Sequence, residues 1–337
     1  MQTEAIQFDG KTSEYFGIWI SNLFLSIITL GIFSAWAKVR RETYFKNRTI
    51  IFGNNFQYHA TGGQLLKGRL IAVGTYIAIN IVSIINPIMG GALAIGFLAL
   101  IPWLINASQK FNARMTSYRN VRFNWHGTYW KSLLFFIIAP IIGIISLGLL
   151  SPLIAKKYYE YFAKSFAFGN TRFSCSDLKI SDFYTAWMIC ILLPLIVILA
   201  VLGVGVVFAQ NEPSQPSLTF NIAFFVIYFY IILMALVFPI MCRNILVRKL
   251  QISDHVKFSS SLNPIRFTWI AISNMLAIIF TLGLLVPWAK IRIYKYLCSK
   301  TDVVAISSLD VFVDEEVSKI SSFGEEFADF EGIDVGL

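Results

Sequence analysis

Two short elements of the sequence combine aromatic and cationic side chains at helical spacing. Trp36, Arg40 and Tyr44 recur every four residues, so they lie on one face of a helix. Tryptophan and tyrosine favour the boundary between lipid and water, where an arginine reaches phosphate groups and stacks over a ring. This chemistry indicates either a membrane anchor or a lipid head-group site. The predicted lipid-interface residues are Trp36, Lys38, Arg40, Tyr44, Trp288, Lys290, Arg292 and Tyr296.

A second set of polar residues lies inside otherwise apolar segments. Such groups either hydrogen-bond neighbouring helices to one another or line a path for a solute. The pattern leaves both interpretations open. The candidates for cavity lining are Asn22, Thr29, Asn274 and Thr281.

Residues that usually carry catalysis or hold metals form no recognisable motif. His59 and His126 occupy matching places in F-x-[YW]-H-x-T, but no Cys, Asp or Glu spacing beside them supports a ligand set, so surface hydrogen bonding is expected. The four cysteines lack C-x-x-C spacing, and phosphate-binding, dinucleotide and hydrolase motifs are missing. We therefore expect no enzyme, no metal and no cofactor.

Long apolar segments must position these residues. Of 337 residues, 56% are hydrophobic and 14% are charged, whereas a soluble domain has about a quarter charged residues. Runs of about 18 or more uncharged apolar residues predict membrane helices. Runs without Asp, Glu, Lys, Arg or His argue against a proton-driven transporter. Six stretches fit: 16–37, 70–106, 132–155, 186–209, 218–242 and 267–289.

The sequence also repeats itself. Residues 22–45 align without gaps with residues 274–297, and ten of the 24 positions are identical. A third, weaker copy covers residues 146–162, with Leu153 in place of the tryptophan and Lys157 in place of the arginine. Segments 16–37, 132–155 and 267–289 each contain the first part of a copy, and we call them the T-L-G segments after their shared motif, which is S-L-G in the second.

These patterns predict an all-α polytopic membrane protein with internally repeated apolar segments and short interfacial β-strands. Two spanning hairpins are expected: residues 70–86 with 88–106, turning at Asn86-Pro87, and residues 186–209 with 218–241. The three T-L-G segments are expected either to be re-entrant or to be simple spans. The predicted domains are an N-terminal surface segment (1–15), a repeated transmembrane domain (16–300) and an acidic C-terminal tail (301–337).

Charge distribution indicates which side of the membrane these segments start from. Residues 1–300 hold 27 of the 28 Lys and Arg but only 9 of the 19 acids. Basic residues near a bacterial membrane stay on its cytoplasmic side. Re-entrant T-L-G segments would put all 28 there, with both termini, whereas simple spans would split them 17 to 11. Because the basic residues flank apolar segments, anionic membrane lipids are the expected partner and nucleic acid is not.

Four motifs connect the sequence with a known family. They are F-x-G-x-x-x-x-Y/F-F at 8–16, T-L-G-I-F-S-x-W-A-K-V-R-R at 29–41, F-G-N-N-F-Q-Y-H-A-T-G at 52–62 and the ending that begins F-G-E-E-F-A-D at 323–329. With them the chain resembles the YjgN family, also known as DUF898, of bacterial inner-membrane proteins. The resemblance implies an inner-membrane location, and it supplies no catalytic or ligand residues to carry over. The expected function is a channel or facilitator for a small solute; the alternative is a lipid-binding or envelope-assembly membrane factor without transport activity.

Overall fold

The computed structural model describes residues 2–191, 199–200, 203, 216–306 and 313–318. Eleven strands occur within these residues. They are β1 (Gln2–Ala5), β2 (Gln7–Phe8), β3 (Thr49–Ile51), β4 (Asn54–Tyr58), β5 (Thr116–Tyr118), β6 (Val121–Trp125), β7 (Phe166–Phe168), β8 (Thr171–Cys175), β9 (Leu250–Ile252), β10 (Val256–Ser260) and β11 (Thr301–Ala305).

Helices separate most of the strands. They are α1 (Thr12–Ile28), α2 (Ser34–Asn47), α3 (Gly62–Ile85), α4 (Pro87–Arg114), α5 (Tyr129–Ile145), α6 (Ser151–Ser165), α7 (Ile180–Ile191), α8 (Pro216–Val247), α9 (Pro264–Phe280), α10 (Val286–Ser299) and α11 (313–318). Helix α5 includes a π-helical stretch at Leu134–Ile138.

The strands form one antiparallel sheet whose two ends meet. Its order is β1-β11-β10-β9-β8-β7-β6-β5-β4-β3-β2. Strands β1 and β2 stand at opposite ends of this order, yet only Ile6 separates them in sequence, and its amide donates to the Thr301 carbonyl at 2.9 Å. The sheet is therefore barrel-like and nearly closed, which removes the exposed edges of an open sheet.

In the described residues, helices connect neighbouring strands as five helix pairs. The pairs are α1–α2 from β2 to β3, α3–α4 from β4 to β5, α5–α6 from β6 to β7, α7–α8 from β8 to β9 and α9–α10 from β10 to β11. The two strands of each connection hydrogen-bond to each other. Each helix pair therefore leaves and returns at one rim of the barrel, and the tight strand turns occupy the other rim.

The T-L-G segments reverse direction at a shared type of turn. In each, a leucine and the following glycine both adopt left-handed φ values, and the glycine amide donates to the carbonyl five residues earlier. This geometry resembles the left-handed termination common at helix ends. The turns are Leu30 (φ 49°) with Gly31 (88°), Leu147 (50°) with Gly148 (83°) and Leu282 (49°) with Gly283 (93°).

Apolar side chains fill the barrel. Val121, Phe168 and Val303 belong to its buried cluster, together with residues from other strands. Helix α11 adds Val313, so this helix packs against the barrel interior.

A buried carboxylate attaches α11 to the barrel. Glu316 is 0% exposed and accepts hydrogen bonds from the Asn170 amide at 2.9 Å and the Thr171 hydroxyl at 2.7 Å. Helix α11, which follows the last strand in sequence, thus packs against the sheet.

The prediction of an all-α polytopic fold is wrong, because the chain contains the eleven-stranded sheet. The short β-strands were expected, but each pairs with a strand that lies beyond a helix pair. The register of β1 with β11, for example, places Gln2 opposite Ala305. No local pattern reveals such a partner.

The structure also contains fewer candidate spans than predicted. Among the helices whose side chains the structure describes throughout, α3 and α4, of 24 and 28 residues, are long and apolar enough to cross a membrane. They meet at Asn86, whose side chain accepts hydrogen bonds from the Ile88 and Met89 amides. Most of the second predicted hairpin's turn, and the tail motif at 323–329, lie outside the described residues.

We predict that Gly31→Ala destabilises the protein by about 1 to 2 kcal/mol, because alanine is strained in left-handed backbone. A Cβ on Gly31 meets no atom within 4 Å, so the cost is conformational. Gly17→Ala, in the same helix pair and equally unobstructed, is the control and should stabilise by about 0.5 to 1 kcal/mol. Thermal unfolding in detergent measures both; equal melting temperatures would contradict the turn assignment.

Candidate functional site

The helix pairs surround a cavity of about 660 Å³ where they join the barrel. The second helix of every pair contributes to its wall. Ile6, Phe56, Phe123 and Phe173 form the side next to the barrel, where they also pack on its buried cluster. The cavity therefore depends on every helix pair.

Two cations line this cavity. Lys46 donates to the Thr116 hydroxyl and lies 5.0 Å from the centre of the Tyr58 ring. Arg243 donates to the hydroxyls of Ser260 at 3.0 Å and Thr301 at 2.9 Å. Among the residues that the structure describes, no Asp or Glu lines the cavity.

The positive charge of both cations lacks a carboxylate partner among the residues that the structure describes. In the described part of the chain neither forms an ion pair, and Glu42, one turn before Lys46, pairs with Arg41 at 3.0 Å. Burial lowers the pKa of Lys46, because its ammonium group has lost part of its hydration. The cavity wall is thus electropositive.

Three threonines contribute hydroxyl groups to the cavity wall. Thr49, Thr116 and Thr301 begin strands β3, β5 and β11, and each hydroxyl donates to the carbonyl four residues earlier, at 2.7, 2.8 and 2.9 Å. Those carbonyls belong to the ends of the preceding helices, which lack helical partners. Each hydroxyl oxygen also contacts a side chain of another helix pair. Lys46 contacts Thr116, Arg243 contacts Thr301, and the Tyr294 hydroxyl lies 2.9 Å from the Thr49 hydroxyl.

Sequence reasoning missed this site. A signal existed, since basic residues precede the threonines at 48–49, 114–116 and 300–301, directly or after one residue. Nothing in the sequence, however, distinguished Lys46 and Arg243 from the other 26 basic residues.

The predicted interface arginines connect the two helices of their own pairs. Arg40 donates to the Asn22 side-chain oxygen at 3.4 Å, and Arg292 donates to that of Asn274 at 3.0 Å. Arg292 lies 5.0 Å from the Trp288 ring as expected, whereas Arg40 lies over Phe33 at 5.1 Å. Arg40 is exposed.

The third copy replaces both members of this interaction. Aligned with the other two, it has Lys157 at the arginine position and Ala139 at the asparagine position. Lys157 is exposed, and Ala139 is buried. The arginine and the asparagine therefore occur together in two copies of the repeat and are replaced together in the third.

The predicted interface tyrosines, Tyr44 and Tyr296, each connect the second helix of a pair to the residue just before its first helix. The Tyr44 hydroxyl accepts from the Lys11 amide at 2.8 Å and donates to the Lys11 carbonyl at 2.9 Å. Tyr296 does the same at Asn263, at 3.1 and 3.3 Å. Trp36 lies against Gly62, at the start of α3.

Thr29 and Thr281 stabilise the T-L-G turns through hydrogen bonds. Their hydroxyls donate to the Leu25 and Ala277 carbonyls at 2.7 Å and accept from the amides at 33 and 285. As the structure describes it, the central cavity is not lined by Asn22, Thr29, Asn274 or Thr281. Of the other predicted interface residues, Lys38 is partly buried and Lys290 is exposed.

His59 and His126 occupy equivalent backbone positions. Their amides donate to the Met115 and Ser165 carbonyls at 2.8 and 2.7 Å. The His59 ring lies 2.8 Å from the Ser117 hydroxyl. Nowhere among the described residues do three potential metal ligands come together.

We predict a coupling energy of about 1 kcal/mol or more between Arg292 and Asn274, because a charged hydrogen bond joins these two side chains directly. A double-mutant cycle of Arg292→Ala and Asn274→Ala, followed by unfolding, measures it. The longer Arg40–Asn22 contact should couple less strongly. Lys157→Ala, where the partner position is an alanine, is the control and should change stability little. Additive effects of the Arg292 and Asn274 changes would contradict the prediction.

Comparison with known proteins agrees with the expected family. The family model "Bacterial protein of unknown function (DUF898)" matches residues 3–330. The "Inner membrane protein YjgN" of Salmonella typhimurium is 24% identical over 359 residues, covering 92% of this chain and 91% of that protein. Its namesakes in Escherichia coli O157:H7 and K12 are 34% identical over 146 residues, or 42% of this chain and 36% of each relative.

No solved structure matches the chain significantly. The sequence relatives confirm the resemblance and support an inner-membrane location. Since the family model covers nearly the whole sequence, the chain belongs to the DUF898 family.

Proposed function

We propose that this inner-membrane protein is a lipid-binding factor, which inserts its helix pairs from one face of the bilayer and binds lipid without transporting a solute. The observation that carries this proposal is the packed interior of the barrel. The proposal includes no enzymatic step.

The tips of the helix pairs support insertion from one face. Leu30, Leu147 and Leu282 are 93%, 90% and 96% exposed at the three T-L-G turns. Soluble proteins seldom expose large contiguous apolar patches. The tips point away from the rim where the pairs begin and end, so one bilayer can accommodate all three.

Helix length sets the depth of insertion. Helices α3 and α4 contain 24 and 28 residues, or about 36 and 42 Å at 1.5 Å per residue, which exceeds the roughly 30 Å hydrocarbon core. Helix α1 has 17 residues and measures about 25 Å. The α3–α4 pair is therefore the proposed crossing element, and the T-L-G pairs reach part of the way.

Charge supports a cytoplasmic barrel. The T-L-G segments and residues 70–106 contain no Lys or Arg, whereas basic residues follow each of them near the barrel rim. Positively charged segments beside bacterial membranes remain cytoplasmic. In this arrangement the N-terminus and strand β11 both lie on the cytoplasmic side.

The barrel interior favours binding over passage. A solute that followed the barrel axis would have to cross the cluster containing Val121, Phe168 and Val303, which is extended by Val313 of α11. Close-packed apolar interiors leave few voids larger than a water molecule. The cavity therefore ends at the barrel, as expected for a binding site.

We predict that single-cysteine probes after Tyr15, Arg48, Lys164, Lys257 and Lys300 react only from the cytoplasm. Each site lies near the end of a helix pair or in the sheet. A probe at Asn86, between α3 and α4, should react from the periplasm. Probes at Leu30 and Leu282 should resist a membrane-impermeant reagent from both sides. Periplasmic labelling at Lys164 or Lys257 would exclude insertion from one face.

We also predict no solute flux above that of protein-free vesicles when the purified protein is reconstituted. Flux assays with a broad panel of ions and small solutes measure this, and native mass spectrometry of the same sample should detect retained anionic lipid. Heat-denatured protein is the control for non-specific lipid. Selective flux, or absence of retained lipid, would favour the channel or facilitator instead.

A further inference from the structure

We propose that the central cavity binds one anionic amphiphile, whose acidic head contacts Lys46 and Arg243 and whose apolar body lies against the inward-facing phenylalanines. This inference rests on the proposed lipid-binding function and identifies the site and the ligand class. The shared chemistry is a carboxylate or phosphate on an acyl chain, as in a free fatty acid or a phospholipid.

Charge is the first argument. Placing a cation in a partly dehydrated wall is unfavourable unless an anion or strong hydrogen bonds compensate it. The described partners of Lys46 and Arg243 are hydroxyl groups and a tyrosine ring. A neutral polar side chain could donate the same hydrogen bonds to those hydroxyls, so these bonds do not require a positive charge. The two positive charges are thus available for an acidic group that enters the cavity.

Preorganisation is the second argument. Thr116 holds the Lys46 ammonium, while Ser260 and Thr301 fix two nitrogens of the Arg243 guanidinium. Both cations remain partly exposed, so a ligand can reach them. Side chains already held in place lose less conformational entropy on binding.

The apolar wall is the third argument. Phe56, Phe123 and Phe173 cover the barrel side, and Phe162 and Phe166 extend the apolar surface along α6 and β7. The volume of about 660 Å³ is within the range of about 300 to 1,000 Å³ found for small-molecule sites. A bare inorganic anion would leave this apolar surface in contact with water. An amphiphile satisfies both the charged and the apolar parts.

Direct binding to the full-length protein tests the inference. The protein is held in nanodiscs of zwitterionic lipid. Isothermal titration calorimetry then compares its affinities for dodecanoate, lysophosphatidic acid with the same acyl chain, dodecanol and inorganic phosphate. Both anionic amphiphiles should bind at least about tenfold more tightly than dodecanol or phosphate, since charged hydrogen bonds contribute that much. The tighter of the two distinguishes a fatty acid from a phospholipid source.

Substitutions locate the head group. Lys46→Gln and Arg243→Gln should each weaken dodecanoate binding about tenfold or more, and Lys46→Arg should restore most of it. Lys157→Gln removes the same charge from an exposed position of α6 and is the matched control, with affinity unchanged within about twofold. Arg243 makes more contacts than Lys46, so the protein is more prone to misfold with Arg243→Gln. If that variant does not fold, Lys46→Gln still tests the head-group site.

The inference is overturned if dodecanol binds as tightly as dodecanoate, or if Lys46→Gln loses no more affinity than Lys157→Gln. Either result leaves the cysteine-probe and flux measurements unaffected, so lipid binding elsewhere on the protein would still be testable. Conversely, solute flux in vesicles would reject the proposed function without altering the measured affinity for dodecanoate.

Discussion

Closure of the sheet at Ile6 is the constraint on which the rest of the structure depends. Strand β1 pairs with β11 and strand β2 pairs with β3, so one residue joins the two ends of the strand order. Because each helix pair connects two neighbouring antiparallel strands, it leaves from and returns to the same rim of the nearly closed sheet. Contacts between α1 and α10 and between α2 and α3 continue this ring among the helices.

That ring explains the position of the electropositive cavity. The ends of the second helices converge where the strands begin, and helix ends carry carbonyl groups without helical partners. The hydroxyls of Thr49, Thr116 and Thr301 donate hydrogen bonds to some of these carbonyls. Their oxygens still accept hydrogen bonds from side chains of other helix pairs. Lys46 and Arg243 are therefore held by hydroxyl groups, and their charge is not neutralised by a carboxylate in the described structure.

The T-L-G helix pairs combine two kinds of contact. The turn, with its hydroxyl residue and its Leu-Gly pair, depends only on local backbone, and all three copies have it. The contact between the helices uses an arginine and an asparagine in two copies, Arg40 with Asn22 and Arg292 with Asn274. These two arginines consequently have a packing role, because each connects the two helices of its own pair.

The sequence by itself determined the features that arise from nearby residues. These include the long apolar segments, the break at Asn86-Pro87, the helical spacing that brings Arg292 over Trp288, and the family motifs at 29–41 and 52–62. Glycine in the T-L-G motif also fits the left-handed turns observed at Gly31 and Gly283. Only the tertiary structure decided the closed sheet, the burial of Glu316 and the convergence of Lys46 and Arg243 on one cavity. The physical reason is that each joins residues far apart in sequence, and hydrophobic periodicity or charge counts record only what a segment can bury, not which distant segment it meets.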